Sequence, residues 1–336
     1  MKIINLLIVL LCSIVILSCK KNTVVEPPYQ KVYHKDGEVD TLIFNGKNAI
    51  NVVVIGDGFT KDDLIKGGAY RDRIEGLFNY FFIIEPFRKY RKSFNVFIIY
   101  AESKTRGPGR GLSDPNSHTA LDSYFYPQPS MLIHVSDISF GKYLNRAGLT
   151  NVHIKIAIVN DPEYRGTATN IAMITTNRYS HYVLVHEVGH TFANLGDEYI
   201  SQSLVPNYPD SHALNYPNVD NTNDSAKIKW RHFFSKSSYQ NVVGAFEGAY
   251  YRSKGFYRPE AVSIMGETMA THFNAPSREA IVKRIHDILK MPFDFDTFVK
   301  TDTASISPIS TRASTGIRPL VGDFLNRRDI ILEQKK

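Results

Sequence analysis

Apolar runs alternate with segments of helical periodicity through the middle of the chain. Four short runs rich in β-branched residues predict buried strands at 51–55, 94–100, 152–159 and 172–176. Helices are predicted at 60–82, interrupted at Gly67 and Gly68, around the segment that follows Tyr182, and at 276–290, where Ser277 is a suitable cap. These elements predict a fold of the α/β (α+β) class.

The second of these helices contains His186-Glu187-Val188-Gly189-His190. Residues four apart lie on one helix face, so both histidines can offer a ring nitrogen to the same metal ion. Glu187 is poorly placed to bind that ion but lies close to the water that a catalytic zinc site keeps. A chance match on a surface helix is the alternative, and the apolar run 182–185 argues against it. The pattern predicts a zinc hydrolase with Glu187 as its general base.

The third ligand requires the helix to end. Asp197 lies seven residues beyond His190, roughly 10 Å along a continuous helix, whereas a zinc–oxygen bond is about 2 Å long. Asn194 and Gly196 tolerate the left-handed conformation that turns a chain back. Asp197 is therefore the favoured ligand, with Glu198 as its rival or as a partner that orients a histidine ring.

The stretch 185–199 resembles the active-site helix of the IgA-peptidase family of zinc endopeptidases, secreted bacterial enzymes that cut immunoglobulin A heavy chains. Further similarity lies in Val54-Ile55-Gly56-Asp57-Gly58-Phe59-Thr60, Glu85-Pro86-Phe87, Glu247-Gly248-Ala249-Tyr250, Tyr257-Arg258-Pro259 and Ser263-Ile264-Met265, and it covers about residues 50–290. The resemblance implies one catalytic Zn²⁺ and a protein or peptide substrate, with immunoglobulin A or a mucosal glycoprotein as candidates.

The family resemblance also implies a metzincin-like architecture. We expect a mixed twisted sheet with the active-site helix in an upper lobe, and a smaller, loop-rich lower lobe with a methionine turn at Met265 and a C-terminal helix. One of the runs 152–159 and 172–176 is expected to be the edge strand that pairs with substrate. The stretch 166–170 between them is expected to be a turn that borders the cleft. The chain departs from metzincin spacing, because Ala193 and Gly196 occupy the positions of the superfamily's glycine and third ligand.

Several further residues are candidates for the site. Tyr250, Tyr251 and Tyr257 could each donate a hydrogen bond to the tetrahedral intermediate. His272, seven residues past Met265, could face the cleft, although a packed or exposed histidine is the commoner case. Asp57 stands between two glycines at a strand end, where it would serve either the site or a turn.

The N-terminus has the features of an export signal. Residues 1–18 combine Lys2 with an apolar run, and Ile16-Leu17-Ser18-Cys19 resembles a bacterial lipobox in which the cysteine is acylated. The alternative is an ordinary signal peptide with a chance cysteine. We expect a tether at 19–42 that ends in a short strand near 41–44, a catalytic domain at 43–292 whose upper lobe ends near 198, and a tail at 293–336. The mature protein would be anchored to the bacterial cell envelope by a lipid on Cys19, its only contact with the membrane.

Composition excludes some functions. The two cysteines, Cys12 and Cys19, lie in or beside the signal, so no disulfide is expected in the mature fold. The net charge of +7 is spread along the chain, which gives no support to a nucleic-acid partner. Two non-enzymatic alternatives are a catalytically silent surface protein that binds host glycoproteins and a structural zinc protein. Glu187 argues against the first, and the lack of a fourth protein ligand argues against the second.

Overall fold

The computed structural model describes residues 31–127 and 132–302, which contain ten strands and six α-helices. In chain order the strands are β1 (Val39–Ile43), β2 (Ile50–Asp57), β3 (Phe94–Ile99), β4 (Tyr124–Phe125), β5 (Ile133–His134), β6 (Ile154–Val159), β7 (Gly166–Ala168), β8 (Ala172–Thr175), β9 (Phe246–Ala249) and β10 (Arg252–Arg258). The helices are α1 (Ala69–Phe81), α2 (Asp137–Arg146), α3 (Ser180–Ala193), α4 (Asp210–Ala213), α5 (Ala275–Ile288) and α6 (Phe295–Thr301).

Six strands form the central mixed sheet, in the order β1-β3-β2-β6-β8-β7. The four inner strands run parallel to one another, and β1 and β7 pair antiparallel with β3 and β8 at the two edges. This arrangement confirms the predicted α/β class with a mixed sheet. The two runs expected to supply a substrate-pairing edge strand are β6 and β8, and both are interior. The edge next to them is β7, which lies in a segment that the sequence presented as a turn.

Both faces of the sheet are covered, as expected for parallel strands. Successive side chains of β2 point to opposite faces. Val52 and Val54 pack in the same buried cluster as Ile74 of α1 and Leu184 of α3, whereas Val53 packs with Phe140 of α2 on the other face. Helix α3 is thus buried between the sheet and the second half of the chain.

The fold extends further in both directions than the sequence predicted. The short strand expected near 41–44 is β1, which pairs with β3. The residues before it, expected to be part of a tether, are already folded from about residue 32, where the ring of His34 stacks on Tyr100 with centroids 3.5 Å apart. At the other end, α6 follows the expected boundary at 292. Phe298 of α6 is buried, and Asp302 forms a buried ion pair with Arg278 at 2.8 Å.

Irregular structure dominates residues 200–245, where short 3₁₀ turns surround the buried Trp230. The interruption predicted at Gly67 and Gly68 is confirmed, since α1 begins directly after Gly68, but the first piece of the predicted helix is only a single 3₁₀ turn at 61–63. None of the helices in the described ranges is long and apolar enough to cross a membrane. The predicted signal and Cys19, and the tail beyond residue 302, lie outside the described residues. The division into an upper and a lower lobe stays a prediction.

Candidate metal centre

Helix α3 ends where the sequence required it to end. Asn194 adopts the left-handed conformation, with φ 51° and ψ 43°, and the amide of Leu195 donates to the carbonyl oxygen of Gly189 at 3.2 Å. This closure turns the chain back toward the histidine face. Gly196 does not share the left-handed role that was predicted for it. A Cβ there would lie 2.8 Å from the Tyr216 ring, so close packing explains the glycine.

The turn brings the two histidines and Asp197 together. His186 Nε2 and His190 Nε2 are 3.1 Å apart, and Asp197 Oδ1 lies 3.1 Å from the first and 3.3 Å from the second. Among the described residues, these three form a cluster able to hold a metal ion. Bonds of about 2.0–2.1 Å to a tetrahedral zinc ion place neighbouring ligand atoms about 3.3–3.4 Å apart. The spacing of the donor atoms therefore fits such an ion.

Backbone carbonyls orient both imidazole rings. His186 Nδ1 donates to the carbonyl oxygen of Ile264 at 2.9 Å, and His190 Nδ1 donates to that of Leu195 at 2.6 Å. A carbonyl oxygen only accepts, so Nδ1 of each ring carries a proton and Nε2 is the atom presented to the cluster. Hydrogen bonding from the ring nitrogen that does not bind the metal is typical of metal-binding histidines.

Asp197 is held at one oxygen and unsatisfied at the other. Tyr251 donates its hydroxyl to Oδ2 at 2.5 Å. Oδ1 is buried, and as long as each ring carries its proton on Nδ1, neither Nε2 can donate to it, which leaves it without a hydrogen-bond donor among the described residues. A buried carboxylate oxygen without a donor is costly, and a cation at the cluster would satisfy it. The donor set and this orphaned oxygen together fit a divalent metal ion.

Electrostatics within the cluster are strong. Burial alone would raise the pKa of Asp197, but the two histidines hold it well below its usual range. Burial alone would lower the pKa of His190, but the negative charge of Asp197 outweighs burial and raises that pKa to about 9. Without a metal ion, His190 therefore holds a second proton at neutral pH, on the Nε2 atom that faces Asp197 Oδ1, and a cation that takes the place of this proton must displace it.

Glu187 lies beside the cluster, on the same helix, and is 7% exposed. Its carboxylate packs against the backbone of Gly166 on the edge strand β7. A Cβ at Gly166 would overlap Glu187 Oε1 and Val183 Cγ1 and would lie 3.2 Å from Glu187 Cδ. The glycine therefore allows the carboxylate to sit between α3 and the edge strand, at the wall of the cleft.

Met265 lies directly beneath the helix. Its side chain is fully buried, and a Cβ at Gly189 would lie 2.8 Å from its sulfur. The preceding residue, Ile264, supplies the carbonyl oxygen that receives His186 Nδ1. The turn that was predicted at Met265 thus supports the ligand helix from below and orients one of its histidines.

Glu198 faces away from the three ligand atoms. Its carboxylate accepts hydrogen bonds from Asn218 at 2.7 Å, Asn274 at 2.5 Å and Ser263 at 2.5 Å. Burial raises its pKa to about 7, although all three donors favour the charged form. Glu198 was expected either to compete with Asp197 as the third ligand or to orient a histidine ring, and its hydrogen bonds show neither role. Glu198 instead ties the ligand turn to the Met265 turn and to α5.

Strands β9 and β10 are joined by a two-residue turn made of Tyr250 and Tyr251, with φ values of 50° and 69°. Turns of this type favour Asn-Gly, because bulky residues rarely adopt positive φ. The turn is anchored to the ligand segment: Tyr250 N donates to Asp197 O and Tyr251 N to Tyr199 O, both at 2.9 Å. Strain of this kind persists where surrounding contacts fix the backbone.

The five further candidates separate into two groups. Tyr250 and Tyr251 line the cleft, but the Tyr251 hydroxyl is already bonded to Asp197. Tyr257, His272 and Asp57 do not line it. His272 lies 3.5 Å from Glu260, and Tyr257 pairs through its backbone with Asp220.

Asp57 ends β2 and binds a distant loop, which is neither the site role nor the local turn role considered from the sequence. Its Oδ1 accepts from the amide of Leu121 at 2.8 Å, and its Oδ2 accepts from the amide of Ser123 at 3.0 Å. It therefore fixes the loop beyond β3 rather than the site.

The cleft has a volume of about 670 Å³ and runs between the edge strand β7 and the segment that follows Asp197. The sequence predicted that 166–170 borders the cleft, as it does, but as a turn rather than a strand, and it gave Gly166 no role beside Glu187. Sequence reasoning also missed Asn218 and Asn274, whose partner lies 20 and 76 residues away, respectively. Only the asparagine at the start of α5 carried a local signal, as a helix cap.

Comparison with protein families gives one match. A family model described as IgA Peptidase M64 matches residues 44–238 and, in a second segment, residues 227–285. The matched region contains α3, the turn at Asn194, the Tyr250–Tyr251 hairpin and Met265. No curated protein matches the chain.

Proposed function

The chain belongs to the IgA peptidase M64 family and is thus a peptidase, and we propose that it is a zinc-dependent endopeptidase. His186, His190 and Asp197 would hold the ion. The observation that carries the proposal is the mutual spacing of their three donor atoms, 3.1–3.3 Å, with the Glu187 carboxylate on the adjacent helix position.

A zinc ion held there would act as a Lewis acid that polarises the substrate carbonyl and makes water more acidic. The chain's own residues supply the proton transfers. Glu187 accepts a proton from the attacking water and then delivers it to the amine that leaves as the peptide bond breaks. The carbonyls of Leu195 and Ile264 keep both imidazoles in one tautomer and one orientation throughout.

We extend the proposal to a metzincin-like arrangement. The buried Met265 beneath the two histidines supports it, as does the loop-rich chain that follows Asp197. The shift of the third ligand by one position relative to metzincins is accommodated by the left-handed residue Asn194, which closes the helix immediately after Ala193.

The test compares Glu187→Gln with the unmodified protein. For the unmodified protein, we expect peptide hydrolysis that a chelator abolishes and added zinc restores. The variant should keep its zinc but lose a factor of about 10²–10⁴ in kcat. Metal content by mass spectrometry separates loss of the base from loss of the metal. A zinc-bound protein that cleaves no peptide, with or without Glu187, would instead favour the silent surface protein that binds host glycoproteins.

We also propose that the protein is exported and anchored to the bacterial cell envelope through Cys19, and that it acts on proteins there, with immunoglobulin A and mucosal glycoproteins as candidate substrates. The lipobox-like sequence 16–19 supports the anchor. Labelled palmitate should be incorporated into the unmodified chain and not into Cys19→Ala. Incorporation into both would remove the anchor from the proposal.

A further inference from the structure

The chemistry of the cleft wall points to a substrate class, on the premise that the proposed function is correct. Among the described residues that line the cleft, none is Lys or Arg, and Glu187 and Asp197 are the acidic ones. The chain as a whole has 40 basic and 33 acidic residues, so the wall differs from the rest of the protein. A divalent cation at the ligand cluster would balance the charges of Glu187 and Asp197, which leaves the loaded cleft neutral.

Two arginines directly follow or precede cleft-lining residues in the sequence, and both are engaged elsewhere. Arg165, next to Gly166, is 3% exposed, pairs with Glu163 at 2.9 Å and stacks over Phe125. Arg252 follows the tyrosine turn, pairs with Asp210 and donates to the carbonyl oxygen of Tyr250. Neither guanidinium is available to a substrate carboxylate. A charged substrate side chain would therefore lose water without gaining a partner of opposite charge.

Neutral polar groups and aromatic rings form the wall instead. Hydroxyl and amide side chains are supplied by Thr167, Thr169, Ser201, Ser203, Asn207 and Thr268. Five tyrosines line the side that follows the ligand turn, namely Tyr199, Tyr208, Tyr216, Tyr250 and Tyr251.

The tyrosines form a subsite next to the ligand cluster. The rings of Tyr208 and Tyr251 have centroids 4.3 Å apart, and those of Tyr216 and Tyr250 are 5.7 Å apart. Tyr250 and Tyr251 are buried, whereas Tyr208 and Tyr216 are half-buried and leave part of each ring accessible. The Tyr216 ring packs on Gly196, one residue before Asp197. The Tyr250 hydroxyl is buried and has no hydrogen-bond partner among the described residues.

We propose that the cleft selects uncharged peptide segments that place an aromatic side chain in the tyrosine-lined subsite beside the scissile bond. Offset and edge-to-face contacts between aromatic rings favour such an occupant over an aliphatic one of similar size. The hydroxyl and amide groups on the remaining wall can pair with the substrate backbone and with Ser, Thr, Asn or Gln side chains. Lys, Arg, Asp and Glu are rejected because the wall offers them no counter-charge.

The test is a digest of a peptide library by the full zinc-loaded protein, with a chelator-treated sample as blank and mass spectrometry of the products. We expect Phe, Tyr or Trp to be enriched at one fixed position next to the cut. Lys, Arg, Asp and Glu should be depleted by about tenfold or more on both sides of the cut. In matched peptides, replacing the aromatic residue by Lys or Glu should lower kcat/KM by about the same factor or more.

An engineered charge sharpens the test. Asn207→Asp places a carboxylate on the tyrosine side of the cleft with almost no change of size, and it should raise kcat/KM for the Lys peptide by about tenfold. Asn151→Asp, an exposed position outside the cleft wall, is the matched control and should leave the profile unchanged.

The outcomes separate the two proposals. Chelator-sensitive cleavage that accepts charged residues as readily as neutral ones, or that shows no aromatic preference, overturns the substrate class and leaves the peptidase intact. Absence of any chelator-sensitive cleavage overturns the proposed function and the substrate class together.

Discussion

Replacing Tyr251 by phenylalanine removes the hydroxyl that donates to Asp197 Oδ2 at 2.5 Å and keeps the ring that packs against Tyr208 and Tyr199. Burial, together with the negative charge of Asp197, raises the pKa of Tyr251 far above its usual value, so the phenol remains a donor at every working pH. Without the hydroxyl, no side chain holds Oδ2 in place, so the Asp197 carboxylate should rotate and present Oδ1 to the metal less consistently.

The magnitude follows from two independent estimates. A hydrogen bond to a charged group contributes about 1.5–3 kcal/mol. Loss of a group that orients a metal ligand typically weakens metal affinity by about 10–100-fold, which corresponds to about 1.4–2.8 kcal/mol. We therefore expect Tyr251→Phe to bind zinc about 10–100-fold more weakly than the unmodified protein.

Competition between the metal-free protein and a chromophoric chelator measures this affinity directly. Tyr250→Phe is the matched control, because it removes a neighbouring hydroxyl that has no partner among the described residues, and it should leave zinc affinity unchanged. Thermal unfolding of both metal-free variants reports any general loss of stability. An unchanged zinc affinity in Tyr251→Phe, with or without a lower Tm, would refute the positioning role of the hydroxyl.

Three further predictions concern the same site. Gly166→Ala should lower turnover by about tenfold or more with zinc content unchanged, because a Cβ there displaces the Glu187 carboxylate, whereas Gly141→Ala on α2 meets open space and should be active. Asn194→Ala should destabilise the protein by about 1–2 kcal/mol in urea unfolding, and Asn194→Gly should retain most of the stability, since only the first change opposes a φ of 51°. Asp197 raises the pKa of His190 from 6.5 to about 9. In the metal-free protein the attraction between the two side chains should therefore add fully to the free energy of unfolding below pH 6.5, and this addition should be lost as the pH rises through 9. Zinc must displace that proton, so calorimetry at pH 7 in buffers of different ionisation enthalpy should show about one proton released, and none would contradict the assignment.

Much of the fold was accessible from local pattern. The strands at 51–55, 94–100, 152–159 and 172–176 and the helices around His186 and Ser277 appear within a few residues of their predicted bounds. Helix α2 and the β9–β10 hairpin were missed. The hairpin escaped because its turn is Tyr-Tyr, where pattern reasoning looks for Asn or Gly.

The break after the helix that carries both histidines was predictable, because it follows from helix geometry. A carboxylate seven residues past a histidine cannot reach the same ion unless the helix ends, and Asn194 is where it ends. Helix geometry did not decide which of Asp197 and Glu198 lies beside the two histidines. That choice depends on Ser263, Asn274 and Tyr251, which lie more than fifty residues further along the chain, and their distances to these carboxylates are set by packing.

The hydrogen bonds to Glu198 also set an order of assembly. Its donors come 20, 65 and 76 residues later in the chain, so a growing polypeptide that has already exposed both histidines still lacks the contacts that seat the ligand turn. Because loop closure of this length must precede those bonds, we expect the metal centre to form late in folding, after Asn274 is available. A chain truncated before Ser263 should accordingly fail to form the metal centre, even when zinc is in excess.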